Sequence, residues 1–255
     1  MGLARSAFYR EPVDWTIRDA ELIAALAALV EGRPNRGFWK CRKLLRRQGK
    51  PWNHKRIYRV YRQMRLHLRR PAKRRLPKRI RVPLYVPRLP DRVWSADFMS
   101  DTLADGRRFR TFNLVDDFNR EALHIEVDTS ITSGRLVRVF EQIRAERGLP
   151  QVLRTDNGPE FLGELFTSWA KHAGMAIQYI QPGKPNQNAY VERFNRTYRE
   201  ELLDQYLFAS LEDVREATWW WMREYNEERP HDSLGDRTPV EARNSAGTST
   251  IELSP

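Results

Sequence analysis

The sequence has almost no cysteine and no long apolar run, and each shortage excludes a class of protein. Cys41 is the only cysteine among 255 residues, which excludes an internal disulfide and a zinc site built on two or more thiolates. The longest uncharged apolar run, residues 22–30, has nine residues, whereas a membrane-spanning helix needs about 20. The N-terminus also lacks the apolar segment and cleavage site of a secretory signal. We therefore expect a cytoplasmic protein without a membrane partner.

Acidic residues are scarce in the first third of the chain. Residues 1–90 hold 25 of the 45 Lys and Arg but only 5 of the 33 Asp and Glu, so their net charge is +20 and that of residues 91–255 is −8. A basic segment of this density neutralises phosphates and releases counterions, which drives sequence-independent nucleic-acid binding. The acidic remainder needs another use for its carboxylates, and divalent metal binding is the obvious one.

Apolar periodicity predicts short helices in the basic segment. The first covers residues 19–31, the second runs from residue 38 to about 49, and Asn53 is a suitable N-cap for a third. Helix, tight turn and basic amphipathic helix form a helix-turn-helix pattern, whose last helix contacts DNA. A small basic bundle that only rests on phosphates explains the pattern equally well. The candidate DNA contacts on the third helix are Lys55, Arg56 and Arg59.

A change in periodicity after residue 90 predicts a mixed α/β domain. We expect strands over residues 93–99, 109–115, 122–127, 151–155 and 175–180, and helices over 136–147, 161–172 and from 188 onward. Hairpin strands followed by crossover units imply a sheet with helices on its faces. The predicted organisation is a basic helical region over residues 1–70, a Pro/Arg-rich linker over 71–90, an α/β domain over 91–240 and a tail over 241–255.

Three acidic residues lie where this fold would place a ligand. Asp97 is in the first strand, Asp156 ends the fourth, and Glu192 lies on the helix that follows a Gly/Pro/Asn-containing loop. If the first and fourth strands are neighbours and the helix crosses their ends, the three carboxylates converge and require cations. Hard oxygen ligands suit Mg²⁺ or Mn²⁺. Taken one at a time, each acid is better explained as a turn former or cap. A metal site therefore requires that the three carboxylates lie close together in the fold.

Four ordered motifs carry a family resemblance. They are WSADFM at 94–99, VDDFNR at 115–120, TDNGPEF at 155–161 and PGKPNQNAYVERFNR at 182–196. Together they resemble the catalytic domain of DDE transposases, in particular the OrfB-type product of the insertion-sequence family numbered three, a relative of retroviral integrases. There are 35 residues between Asp156 and Glu192, which is that family's DD(35)E spacing.

The resemblance implies a fold, a site and a reaction. The expected fold is α/β, with a ribonuclease H-like mixed sheet flanked by helices and preceded by a small all-α helix-turn-helix-like region. Asp97, Asp156 and Glu192 would be the catalytic, metal-binding triad for two Mg²⁺ or Mn²⁺ ions. The implied activity is cleavage of DNA strands at insertion-sequence ends, followed by transfer of the 3′-hydroxyl to another strand.

The same resemblance implies DNA contacts and partners. The family has a basic residue seven positions after the glutamate, here Arg199, and Arg196 shares its helix face. A solvated face paired with Glu200 or Glu201 is the alternative for both. Lys184 is a weaker candidate for a DNA contact. The partners implied are element-end and target DNA, an upstream-frame product or fusion, and further copies of this chain on DNA. The rival functions are a ribonuclease H-like nuclease without joining activity and a non-catalytic DNA-binding regulator or decayed transposase.

The remaining acidic and aromatic residues favour structural roles. Asp116 and Asp117 lie in a predicted turn between two strands, and Glu160 precedes a helix whose positive end it can contact. Residues 219–221 are three consecutive tryptophans. We expect them mostly to cover the core, with stacking on nucleic-acid bases as the alternative.

Overall fold

The computed structural model describes residues 14–31, 33–67, 86–181 and 185–251, with the side chains of 185, 186 and 247–251 excepted. The chain divides into two compact units, Met1–Arg75 and Leu76–Pro255. None of the helices in these described stretches is long and apolar enough to cross a membrane.

The first unit is a helical bundle around one small core. Its helices are α1 (Trp15–Arg18), α2 (Ala20–Glu31), α3 (Phe38–Arg47) and α4 (His54–Gln63). Asn53 caps α4 as predicted, because its side chain accepts a hydrogen bond from the backbone N–H of Lys55 at 3.0 Å. Apolar residues at helical spacing form the core: Leu22, Leu26, Leu29, Cys41, Leu45, Ile57, Val60 and Tyr61.

The second unit is built on a five-stranded mixed sheet in the order β3-β2-β1-β4-β5. Strands β1 (Val93–Thr102), β2 (Arg108–Asp116) and β3 (Ala122–Asp128) form an antiparallel meander. Strand β4 (Val152–Thr155) pairs with β1 in parallel, and β5 (Ala176–Tyr179) pairs with β4 in parallel. The mixed sheet confirms the predicted fold class, and the central position of β1 places Asp97 in the middle of the unit.

Helices cover both faces of the sheet because the central strands are apolar on both sides. One core contains Trp94, Ala96, Phe112 and Leu114. It packs against α5 (Ser133–Glu146), α6 (Pro159–Leu162) and α7 (Glu164–His172). The opposite core contains Phe109 and Val115 and packs against α8 (Ala189–Glu201) and α9 (Leu211–Arg223). Alternate residues of β1 and β2 therefore point to opposite faces, and odd-numbered residues point towards α8 and α9.

Two expectations about this unit differ from the structure. The helix predicted over residues 161–172 is divided at Gly163 into α6 and α7. Of the three tryptophans, only Trp221 is buried, whereas Trp219 and Trp220 are 53% and 56% exposed. The expectation that they mostly cover the core was wrong, because three consecutive positions on a helix span about 200°. The last described helix is α10 (Pro239–Ile251), and the domain boundary at residue 240 stays a prediction.

Side chains satisfy the outer edge of β3, which lies at one end of the sheet. The amide of Asn226 accepts from the backbone N–H of Ala122 and donates to its carbonyl oxygen, both at 2.9 Å. Farther along the strand, Arg215 donates twice to the carbonyl oxygen of Val127, at 3.1 and 2.9 Å. These contacts occupy backbone groups that another strand would otherwise pair with.

Candidate active site

Strand pairing brings two of the predicted acids to one end of the sheet. Strand β1 pairs with β4 in parallel, with Ser95 opposite Arg154. Asp97 and Asp156 each lie two residues further along, so the same register places them at neighbouring positions. Asp97 is still within β1, whereas Asp156 follows the last residue of β4. The first and fourth strands are therefore neighbours, which is one of the two conditions under which the three carboxylates would converge.

Helix α8 lies along β1 and carries the third acid. Near the start of the helix, Asn188 donates from Nδ2 to the carbonyl oxygen of Ala96 at 3.2 Å. Two turns later, Asn195 donates from Nδ2 to Oδ2 of Asp97 at 2.8 Å. Glu192 lies between these contacts, one turn before Asn195, and its side chain is exposed. The helix therefore holds Glu192 beside the segment of β1 that contains Asp97.

The electrostatics show that the three carboxylates are close enough to interact. The pKa of Asp97 is raised to about 6, chiefly by burial. The negative charges of Asp156 and Glu192 also raise this pKa, and the hydrogen bonds from the backbone of Phe98 and from Asn195 lower it. Burial also raises the pKa of Glu192, and the neighbouring guanidinium of Arg196 acts in the opposite direction. Carboxylates that repel one another in this way are stabilised by a shared cation.

Asp156 also forms the turn that follows β4. Its Oδ1 accepts a hydrogen bond from the backbone N–H of Gly158 at 3.0 Å. A Cβ at Gly158 would lie 3.0 Å from that same oxygen and 3.2 Å from Oε2 of Glu160. The Asn-Gly pair after Asp156 therefore lets the backbone approach the carboxylate closely. One oxygen of Asp156 is engaged in the turn, and the other remains for a ligand.

The donor set suits a hard divalent cation, although its side chains are not closed around one. Three carboxylates without thiolates are the oxygen ligands that Mg²⁺ and Mn²⁺ prefer. Across residues 14–31, 33–67, 86–181 and 185–251, no three His, Cys, Asp or Glu side chains are grouped tightly enough to hold a metal ion. Ligation by Asp97, Asp156 and Glu192 therefore requires side-chain adjustment, most simply at the exposed Glu192.

Sequence reasoning missed two asparagines beside the triad. Asn195 contacts Asp97, and its own Oδ1 accepts from Nδ2 of Asn113 at 2.7 Å. Asn113 lies directly opposite Asp97 in the β1–β2 register. The sequence signal was the strand itself, since alternation places Asn113 on the same face of β2 as the core residues Phe109 and Val115. Asn195 was visible only as the third residue after Glu192.

The predicted DNA contacts on α8 have different surroundings. The guanidinium of Arg199 donates to Oδ2 of Asp101 at 3.1 Å and to the carbonyl oxygen of Ser100 at 2.9 Å. It therefore ties α8 to the end of β1, a partnership that neither expectation for this residue included. Arg196 is exposed and close to Glu192. Lys184 lies outside the described residues.

The three predicted DNA contacts on α4 also differ in their surroundings. Lys55 is exposed, whereas Arg56 and Arg59 donate to the two oxygens of Asp19, at 2.8 and 2.6 Å. The side chain of Asp19 is 1% exposed, so this pairing connects the junction between α1 and α2 with α4 inside the first unit. Tyr58 and Arg62 are exposed beside Lys55 and share a shallow surface depression with it.

The acids given structural roles have structural partners. Asp116 accepts from the backbone N–H groups of Asp91 and Phe118, both at 2.7 Å. Asp117 accepts from Ser95 and from the buried Arg154, both at 2.6 Å. Glu160 lies in the first turn of α6 and also forms an ion pair with Arg110.

Comparison with protein families assigns both units. Residues 16–75 match an HTH-like domain. Residues 87–185 and 173–239 match two models of the integrase core domain. Integrase core domains are metal-dependent polynucleotidyl transferases.

Similar proteins agree with these matches. The chain is 39% identical over 242 residues to an uncharacterized 31.7 kDa protein of insertion element IS407 from Burkholderia multivorans, covering 94% of this chain and 87% of that protein. It is 27% identical to transposase InsD for insertion element IS2D from Escherichia coli, covering 88% of this chain and 78% of that protein.

A solved structure supports the fold. The simian T-cell lymphotropic virus intasome in complex with PP2A regulatory subunit B56 gamma contains a chain with a TM-score of 0.56 and 16% identity, covering 91% of this chain and 75% of that one. The sheet order and these matches agree, and the chain belongs to the DDE transposases of insertion elements, with an N-terminal HTH-like domain and an integrase core.

Proposed function

We propose that Asp97, Asp156 and Glu192 are the catalytic triad of this transposase and bind two Mg²⁺ or Mn²⁺ ions. The observation that carries the proposal is the pairing of β1 with β4 and the contacts of α8 with β1, which bring the three acids to one end of the sheet. The raised pKa of Asp97 agrees with this placement. When bound by these three carboxylates, such ions would activate the attacking oxygen and stabilise the leaving oxygen at phosphorus. The protein supplies the carboxylates, holds Asp97 through Asn195, and keeps one oxygen of Asp156 turned into the loop.

The reaction has two steps at phosphorus. In the first, a water oxygen bonds to the phosphorus at the element end and the bond to O3′ breaks, which leaves a 3′-hydroxyl on the element. In the second, that hydroxyl oxygen bonds to a target phosphorus and the target strand's O3′ leaves. Both steps are phosphoryl transfers without a covalent enzyme intermediate, so no oxidant or further reactant is needed.

The DNA would be held by exposed cations of both units. On α4, Lys55 and Arg62 flank Tyr58 on the exposed side of the helix, which is the position expected of a groove-facing surface. Arg56 and Arg59 are already engaged by Asp19 and are less suited to phosphate. In the second unit, Arg196 is an exposed guanidinium on α8 whose charge acts on Glu192. We also propose that the active form is a multimer on DNA, working with an upstream-frame product or as its fusion.

A strand-joining assay tests the proposed chemistry. The protein, with its upstream-frame product supplied or fused, is incubated with a labelled terminal-repeat duplex, target DNA and Mg²⁺. We expect joined products from the wild type, and none from Asp97→Asn, Asp156→Asn or Glu192→Gln, while DNA retention stays close to that of the wild type. Release of cut ends without joining identifies the nuclease alternative, and the absence of both products identifies the non-catalytic one.

Matched isosteric changes control for the loss of charge. Asp105→Asn alters an exposed turn carboxylate that pairs with Arg107, and Glu164→Gln alters an exposed acid in the first turn of α7. Both variants should join ends at the wild-type rate. A triad variant that also joins at that rate removes its residue from the proposed site.

A further inference from the structure

A hydrogen-bonded chain of two amides runs from Asn113 on β2 through Asn195 on α8 to Asp97 on β1. Asn113 Nδ2 donates to Asn195 Oδ1 at 2.7 Å, and Asn195 Nδ2 donates to Asp97 Oδ2 at 2.8 Å. Asn113 is fully buried and Asn195 is 8% exposed. The chain therefore ends on a proposed metal ligand at one side and inside the protein at the other.

The direction of these bonds follows from the chemistry of the groups. An ionised carboxylate only accepts hydrogen bonds, so Asn195 must turn its NH₂ group towards Asp97. Its carbonyl oxygen then faces β2 and needs a donor, and Asn113 provides an NH₂ group there. Without that donor, the Asn195 amide loses the contact that fixes which end it presents to Asp97.

The burial of Asn113 is unexplained by the packing of the sheet. It lies on the α8 side of β2, between Thr111 and the core residue Val115. Its Oδ1 is buried and has no hydrogen-bond partner within the described stretches of the chain. Leaving a buried amide oxygen unpaired is unfavourable, so an apolar residue of similar size would suit the core better.

We propose that Asn113 is a positioning residue of the metal site, which fixes the orientation of the Asn195 amide so that Asn195 holds one oxygen of Asp97 and leaves the other for the cation. The inference rests on the proposed triad, because Asn113 would act through Asn195 on Asp97, which belongs to that triad. Partners that orient a metal ligand from behind affect metal affinity about tenfold or more when they are removed.

Direct measurement of metal affinity tests this role without relying on catalysis. Binding of Mn²⁺ to the full chain is followed by electron paramagnetic resonance of the free ion. Asn113→Leu and Asn195→Ala should each weaken Mn²⁺ affinity about tenfold. The double variant should be no weaker than the weaker single variant, because Asn113 acts through Asn195.

Thr111→Val is the matched control. Thr111 lies two residues away on the same face of β2, is buried, and likewise has a side-chain oxygen without a partner in the described residues. This variant should bind Mn²⁺ as the wild type does. Thermal melts report whether each variant is folded, and Asn113→Ser replaces Asn113→Leu if the leucine does not fit.

The outcomes separate the inference from the proposed function. Unchanged Mn²⁺ affinity in a folded Asn113 variant overturns the positioning role, and so do additive effects of the two single variants, which indicate a general effect on the fold. If wild-type affinity is not reduced by Asp97→Asn, the proposed triad fails, and the inference fails with it.

Discussion

At the scale of single residues, neighbouring acids of one type perform different tasks because their partners differ. Asp117 faces a buried arginine and Asp116 faces two backbone N–H groups, whereas Asp97 faces two other carboxylates. Turn chemistry predicted the structural role of the first two from sequence. The partners themselves lie at distant positions in the chain, so no local pattern identified them.

Asp116 should make folding stability depend on pH. Burial raises its pKa to about 6 despite the hydrogen bonds that it accepts from the backbone. Because the folded pKa lies above the unfolded value of about 4, the folded chain takes up a proton as pH falls from about 6 to 4. This group therefore contributes most to stability below pH 4, and that contribution is lost as pH rises through 6.

The test compares Asp116→Asn with the wild type by urea unfolding. The free energy of unfolding of the variant, relative to the wild type, should rise by roughly 2–3 kcal/mol between pH 4 and pH 8. Asp105→Asn is the control. Hydrogen bonds from Arg107 lower the pKa of that exposed acid, so its contribution to stability changes with pH in the opposite direction. A pH-independent difference for Asp116→Asn contradicts the prediction.

Amides were the residues that the sequence did not reveal. Asn113 and Asn195 carry no charge and belong to no metal-ligand spacing, and their importance appears only when a strand and a helix 82 residues apart are brought together. Arg199 was recognised as a residue of interest, but its partner Asp101 lies 98 residues earlier. Long-range pairs of this kind depend on tertiary structure.

At the scale of secondary structure, alternation and apolar periodicity predicted all five strands and the helices between them. The error at residue 163 has a steric cause. A Cβ on Gly163 would lie 2.4 Å from Oγ of Ser133 at the start of α5, and that hydroxyl donates to the carbonyl oxygen of Glu160 at 2.8 Å. The close approach of α5 to the junction between α6 and α7 could not be read from local sequence.

Gly163→Ala should therefore destabilise the second unit. Overpacking of a tight contact costs about 1–3 kcal/mol, and the hydrogen bond from Ser133 is lost when its hydroxyl moves. Gly134→Ala is a matched control in α5, where the added Cβ meets Leu165 at an ordinary 3.5 Å. That change should be neutral or stabilising by up to about 1 kcal/mol. Equal effects of the two variants in urea unfolding contradict the steric explanation.

The pairing of Asp19 with α4 gives a second prediction for this scale. Arg56→Ala leaves a buried carboxylate with one guanidinium fewer, and we expect a loss of about 1–3 kcal/mol in the first unit. Lys55→Ala removes an exposed cation and should change stability by less than about 0.5 kcal/mol. Hydrogen exchange of α2 and α4, followed by mass spectrometry, measures the stability of the first unit in each variant. Equal exchange in the two variants excludes the structural role of Arg56.

At the scale of the whole molecule, the uneven charge predicted from sequence matches the division into two units. Residues 1–90 contain 25 Lys and Arg but only 5 Asp and Glu. The HTH-like match covers residues 16–75. The basic part of the chain therefore contains the HTH-like match. Charge counting did not show which cations are paired within the protein.

Salt titration of DNA binding by the full chain distinguishes paired from available cations. Binding should weaken steeply with salt because phosphate contacts release counterions. Lys55→Ala and Arg62→Ala should each reduce the slope of log affinity against log salt concentration by about one. Asp97→Asn should leave the slope unchanged. A slope that is unaltered by both basic substitutions excludes this face of α4 from the DNA interface.

The side chains along β3 have a consequence for assembly. With Asn226 and Arg215 occupying backbone groups of this outer strand, a second copy cannot extend the sheet there by continuous strand pairing. A multimer of the proposed kind must then use surfaces other than this edge, so the five-stranded sheets of separate subunits remain discrete along β3.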